Sequence, residues 1–122
     1  LEEYLAKQVI TAIAKGFNME TALKLLNQNF ALKVIDLKEF LPEHAVKRQL
    51  GRVIGEKGKC KKTLEEEGNV VISIQGHEVS VLGNFEDIEI AVNAIQKLIS
   101  GAPHTSVFRY ISTAQAKKSG AI

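Results

Sequence analysis

The chain has 122 residues, the size of one ordinary domain with extensions, and its 45% hydrophobic and 25% charged residues allow a compact core under a charged surface. No apolar run approaches the ~20 residues of a membrane-spanning helix, and Cys60, the only cysteine, excludes a disulfide framework and suits a reducing compartment. The net charge of +2 hides an asymmetry: seven of the sixteen basic residues fall between positions 47 and 62 against Glu56 alone, leaving nine basic and thirteen acidic residues elsewhere, as expected of a site for a polyanion.

The chain opens at Leu1 with helical periodicity already running, and Glu2 and Glu3 do not fit the basic start of a leader. It reads as a piece of a longer protein or as one trimmed at its amino end. Residues 2–15 are expected to form an amphipathic helix with Leu5, Val9, Ala12 and Ile13 on one stripe and Gly16 as its stop. Asn18 is a suitable N-cap for a second helix carrying Ala22, Leu23, Leu25 and Leu26. Residues 1–30 together read as a helical connector that packs on something.

Residues 31–37 are β-rich and apolar on both faces, the pattern of a largely buried strand. Pro42 should open a short helix through about Arg48. A glycine loop follows, then a helix over about Lys59–Glu67 closed by Gly68. Val70, Ile72 and Ile74 alternate with Val71, Ser73 and Gln75, a strand pattern. Gly76-His77 suits a two-residue hairpin turn, and Val79 and Val81 belong to the returning strand, which Gly83 ends. Asn84 should cap a helix whose stripe is Ile88, Ala91, Val92, Ile95, Leu98 and Ile99. After Gly101, Pro103 should start one or two last helical turns with Val107, Phe108 and Ile111, and the polar residues from Thr113 on should fray.

The informative motif is Gly55-Glu56-Lys57-Gly58. With nine glycines in the chain, this spacing alone is weak. Its context is specific: it follows Val53-Ile54, joins two short helices, and lies in the order strand, helix, loop, helix, strand, strand, helix. That order is the type I KH arrangement, an α+β fold with a three-stranded sheet packed against three helices, here over residues 31–101. To it are added an amino-terminal helical extension and, over 102–122, a carboxy-terminal helix and flexible tail.

Glycine suits a sharp turn where another chain's backbone must approach. The start of the following helix presents amide donors and a positive dipole end to phosphate. Lys57, Lys59, Lys61 and Lys62, with Arg52, add charge that attracts a backbone without reading bases. In KH domains such a loop clamps about four nucleotides while bases lie on an apolar groove. Val53 and Ile54, with Ile72 and Ile74 near the wall, are the candidates for that groove, and plain core is the competing role for each. The candidate RNA-binding set is therefore Arg52, Val53, Ile54, Gly55, Glu56, Lys57, Gly58, Lys59, Lys61, Lys62, Ile72 and Ile74.

Other chemistries fit poorly. A phosphate-binding P-loop needs four residues between its glycines and then Gly-Lys-Ser/Thr, whereas Gly58-Lys59 is followed by Cys60. One Cys and the isolated His44, His77 and His104 show no metal-ligand spacing. Cys60 reads as a packing residue, and Glu65, Glu66 and Glu67 as a solvated helix end. No catalytic constellation, cofactor or metal site is expected.

The run Gly51-Arg52-Val53-Ile54-Gly55-Glu56-Lys57-Gly58-Lys59-Cys60-Lys61-Lys62-Thr63-Leu64-Glu65-Glu66 resembles the second KH domain of archaeal members of the family of the pre-ribosomal factor called partner of Nob one, or Dim-two. Gly101-Ala102-Pro103-His104-Thr105-Ser106-Val107-Phe108-Arg109-Tyr110 resembles that family's tail, and the likeness extends upstream through Val34-Ile35-Asp36-Leu37 to Gly16-Phe17. The resemblance implies a protein of small-subunit ribosome maturation that binds ribosomal RNA near its 3′ end and meets the Nob endonuclease; a cytoplasmic monomer is expected. It also implies a first KH-like domain outside this sequence.

Two residues depart from the general KH pattern. Lys61 stands where an aliphatic residue is usual, which should enlarge the phosphate-facing patch. Glu56 places a carboxylate inside the loop. It motivates a second reading, a protein-interaction scaffold with weak or lost RNA binding.

Overall fold

Three antiparallel strands organise the chain, and helices cover both faces of the sheet. The computed structural model describes residues 1–120. In order, the elements are α1 (Glu2–Ala14), α2 (Met19–Ala22) continued by a 3-10 turn over Leu23–Leu26, β1 (Phe30–Asp36), α3 (Glu43–Ile54), α4 (Lys59–Gly68), β2 (Val71–Gln75), β3 (Glu78–Asn84), α5 (Phe85–Ile99) and α6 (His104–Lys118). The sheet order is β1-β3-β2, with Ile35 opposite Val79 and Ile72 opposite Val81. Gln75 pairs with Glu78, so Gly76 and His77 make the expected two-residue turn, with Gly76 at φ +56°.

Strand alternation sorts the side chains onto two faces. Ile35, Ile72, Val79 and Val81 face α3, α4 and α5 and share the main core with Val53, Leu64, Ile95 and Leu98. Leu82, with Phe30, Leu32 and Val71, faces the other way and packs against Val9, Ala12, Phe17, Ala22 and Leu25. β1 is apolar on both faces because both faces are covered. The amino-terminal helices thus dock on the sheet of this same chain. Asn18 caps α2 by accepting from the Thr21 N–H at 2.8 Å.

Five local expectations change. In α1, Ile13 is exposed (40%) and the buried stripe is Val9 and Ala12. The second helix lasts only four residues, and Leu23 and Leu26 in the turn after it are exposed. α3 does not stop near Arg48 but runs to Ile54, because Val46 and Val53 are buried at helical spacing with Leu50 packed beside them, and that burial outweighs the roughly 1 kcal/mol that Gly51 costs inside a helix. α4 includes Gly68 and is capped by Asn69, in the left-handed conformation at φ +56°. Finally, α6 is a 15-residue helix through Lys118, so helix replaces the fraying expected from Thr113.

The end of α6 is held by a buried carboxylate. Asp87, in the first turn of α5, has no exposed surface. It accepts hydrogen bonds from Lys118 Nζ at 2.6 Å, Gln115 Nε2 at 2.9 Å and Asn69 Nδ2 at 3.1 Å. Gln115 also donates to the Gly68 carbonyl at 3.2 Å. Burial alone would raise the pKa of Asp87, but the hydrogen bonds from Lys118, Gln115 and Asn69 and the charge of Lys118 outweigh it and hold the carboxyl below its ordinary value.

A carboxyl depressed by folding contributes stability that is present above its unfolded pKa and lost as pH falls through the folded one. Asp87→Asn should cost on the order of 2 kcal/mol at neutral pH, since the ammonium and amide donors keep no anion. Urea denaturation of the variant between pH 6 and pH 2 should show a shallower loss of stability than that of the parent chain.

Candidate nucleic-acid interface

α3 and α4 meet at the Gly55–Gly58 turn, whose conformation is set by three residues of positive φ. Gly55 lies at φ +77°, Lys57 at +55° and Gly58 at +75°. A Cβ on Gly55 would come within 2.6 Å of both the backbone nitrogen and the Cβ of Cys60, whereas one on Gly58 would meet nothing within 4 Å. Gly55 therefore lets the two helices touch, and Gly58 leaves an open surface. Lys57 holds a left-handed conformation that costs a residue with a side chain about 1–2 kcal/mol.

The Gly58 N–H donates to the Gly55 carbonyl at 3.2 Å. Among the described residues no side chain caps the turn or the start of α4, so the amide donors at that helix start have no side-chain partner there. Both glycines are partly exposed, and Glu56, Lys57 and Lys59 are exposed.

A trough of about 310 Å³ runs between α4 and β2, with Lys61, three residues after the turn, and Glu65 on one wall and Ile72, Ser73 and Ile74 on the other. One end of it is formed by the bend after α1. There Lys15 Nζ bonds Glu78 at 2.7 Å, and Ser73 Oγ donates to the Lys15 carbonyl at 2.7 Å. A Cβ on Gly16 would lie 2.5 Å from Ser73 Oγ. Glu65 spans the trough floor: it accepts from the Ile72 N–H at 2.8 Å and pairs with Lys61 at 3.4 Å. This end wall had no signal in the sequence, since nothing in Gly16-Phe17-Asn18 announces contact with β2.

The candidate residues separate by position. Gly55, Glu56, Lys57, Gly58 and Lys59 make the turn, and Lys61 flanks the trough. Lys62 is exposed and pairs loosely with Glu66 at 3.9 Å. Ile54 and Ile74 are half-buried and keep surface for a base, whereas Val53 has no exposed surface and Ile72 only 3%. Val53 and Ile72 therefore lie in the core beneath the apolar surface.

Arg52 is held by α5 and the loop after it. Its guanidinium donates to the Leu98 carbonyl near the end of α5 and to the Ala102 carbonyl in the loop after it. His104 Nε2 donates back to the Arg52 carbonyl at 3.0 Å, which fixes the tautomer and ties α6 to α3. Glu56 has no ion-pair partner among the described residues. Burial raises the pKa of Cys60 against a smaller opposing pull from Arg52, so the thiol stays protonated at neutral pH.

The two glycines should respond unequally to a methyl group. Gly58→Ala should cost about 1–2 kcal/mol, the strain of a left-handed residue. Gly55→Ala should cost clearly more, because the backbone of Cys60 must also move. Chemical denaturation of the two variants side by side checks this, and equal costs would mean that the helices do not meet as closely as described.

A family model described as a eukaryotic type KH domain, KH-domain type I, and named for the second KH domain of PNO1, matches residues 31–116. A KH domain-containing protein of Methanocaldococcus jannaschii is 32% identical over 118 residues, covering 96% of this chain and 52% of that protein. The pre-rRNA-processing protein pno1 of Aspergillus fumigatus is 32% identical over 103 residues, covering 81% of this chain and 41% of its own. Among solved structures, a chain from the a/eIF2alpha–aDim2p–rRNA complex of Pyrococcus horikoshii superposes with a TM-score of 0.85 at 38% identity, covering 93% of this chain and 63% of that one. The chain thus spans about half the length of the curated relatives it matches. With the β1-β3-β2 sheet, the glycine turn between α3 and α4 and these matches together, the chain belongs to the PNO1/Dim2 family, of which it carries the type I KH domain.

Proposed function

We propose that this chain is a non-enzymatic RNA-binding module that seats single-stranded RNA on the Gly55–Gly58 turn and along the trough beside it. The observation that carries the reading is the turn itself: left-handed backbone at Lys57 and Gly58, no capping side chain, and exposed Lys57 and Lys59 with no ion-pair partner among the described residues. Phosphates would meet the turn's amides and these ammonium groups, with Lys61 and Lys62 extending the positive field along α4. Bases would lie against Ile54 and Ile74, supported from below by Val53 and Ile72. Arg52 acts by fixing α3 to α5 and α6.

The substrate we assign is small-subunit ribosomal RNA precursor near its 3′ end, with a Nob-type endonuclease as neighbour and the chain acting as a monomer in the cytoplasm. Support comes from the relative named for pre-rRNA processing and from the neighbour solved in a complex with rRNA. A second reading, a scaffold with weak RNA affinity, is favoured by one observation: Glu56 puts an exposed carboxylate, without an ion-pair partner among the described residues, where phosphates would sit.

Filter binding of single-stranded RNA across a salt series separates the two. With three or four phosphates neutralised, log affinity should fall against log salt with a slope of about −2 to −3, whereas the scaffold reading gives a flat line. Replacing Glu56 and Lys57 together with Asp should lower affinity at least tenfold with an unchanged circular dichroism spectrum. Undiminished binding would remove the turn from the RNA site.

A further inference from the structure

Behind the turn lies a second and larger recess of about 430 Å³, within the ~300–1,000 Å³ of small-ligand sites. It is on the face of α4 opposite the trough, because Lys59, Cys60 and Thr63 line it while Lys61 and Glu65 line the trough. α6, an element outside the strand–helix order of the KH unit, supplies one wall. The rings of His104 and Phe108 stand there with centroids 6.2 Å apart and tilted by 57°.

Three observations bear on what the recess holds. The first is Gly51, an exposed mid-helix glycine of ordinary φ that lines it; a Cβ there would meet nothing within 4 Å. Neither backbone geometry nor packing asks for glycine, and its bare backbone widens the opening. The second is charge. Arg48 and Lys59 line the recess with no ion-pair partner among the described residues, against Glu56 as the only carboxylate. The third is continuity, since Gly55, Glu56 and Lys59 belong both to the turn or its first following residue and to this lining.

We infer that the recess takes one splayed-out nucleotide of the same RNA strand, next to the segment seated on the turn. Its base lies against Phe108 and His104, and its phosphate is met by Arg48 and Lys59. A base facing an aromatic side chain is the usual way an unstacked nucleotide is held. The inference rests on the reading that the turn binds RNA.

The test uses the full chain, fluorescence anisotropy, and two labelled random-sequence RNA pools, tetranucleotides that cover the turn alone and dodecanucleotides that also reach the recess. Thr63→Trp fills the recess from α4. It should lower affinity for the longer pool about tenfold, the scale of one base–aromatic stack, and leave the tetranucleotides unaffected. Arg48→Glu, at an exposed position, should cost the longer pool more than the shorter, and keeps the test open if the tryptophan disturbs folding. Equal effects of Thr63→Trp on both pools, or none on either, together with length-independent loss for Arg48→Glu, overturn the inference. The double Asp variant of Glu56 and Lys57 serves as control. If it binds tetranucleotides as well as the parent chain does, the turn reading fails and the recess with it; if it loses them while the recess variants change nothing, the recess alone is refuted.

Discussion

Where α3 meets α4, Gly55 approaches the backbone of Cys60 so closely that the position of a methyl group is already occupied. Everything on the candidate RNA face follows from that contact. It lets one helix end and another begin within four residues, and it leaves the amides at the start of α4 without side-chain partners. It also brings Arg48 and Arg52 from one helix near Lys59 from the other. A bulkier junction would splay the helices, and the lysines would then decorate two separate surfaces.

Electrostatics around the turn is divided by what each cation touches. Arg52 is committed to carbonyl oxygens of α5 and the loop after it. Lys61 is shared with Glu65, which also holds the Ile72 amide. Lys57, Lys59, Lys47 and Arg48 are exposed and unpaired among the described residues. A guanidinium bound to carbonyls and a lysine over a carboxylate fix local structure. Ammonium groups left in water keep a long-range field for a polyanion at little cost in folding. The basic block in the sequence therefore serves two purposes, and only geometry tells them apart.

Much of this architecture was legible from residue order. The alternation Val70–Gln75, the Gly76-His77 turn, the Asn84 cap and the stripe from Ile88 to Ile99 each match their elements, because local backbone chemistry decides them. The glycine turn was legible for the same reason. What escaped depends on partners far along the chain. Gly51 looked like loop but sits inside α3, since the burial of Val46 and Val53 overrides its weak propensity. The polar run after Thr113 looked frayed, yet Gln115 and Lys118 fold onto Asp87 some thirty residues away. Val53 and Ile72 satisfied the apolar pattern of a groove as well as that of a core. Only burial separates those roles, and period-2 or period-3.6 patterns do not encode depth.

The covered second face of the sheet bears on where the folding unit ends. Leu82, Leu32 and Val71 are shielded from water by side chains that precede residue 30, and Ser73 on the trough wall donates its hydrogen bond to the Lys15 carbonyl. A cut at residue 31, where the matched family model begins, would run through the middle of an apolar layer and strip the trough of its end wall. The physical unit is thus wider than the span of the matched family model: the first thirty residues are the second half of a sandwich whose filling is the sheet.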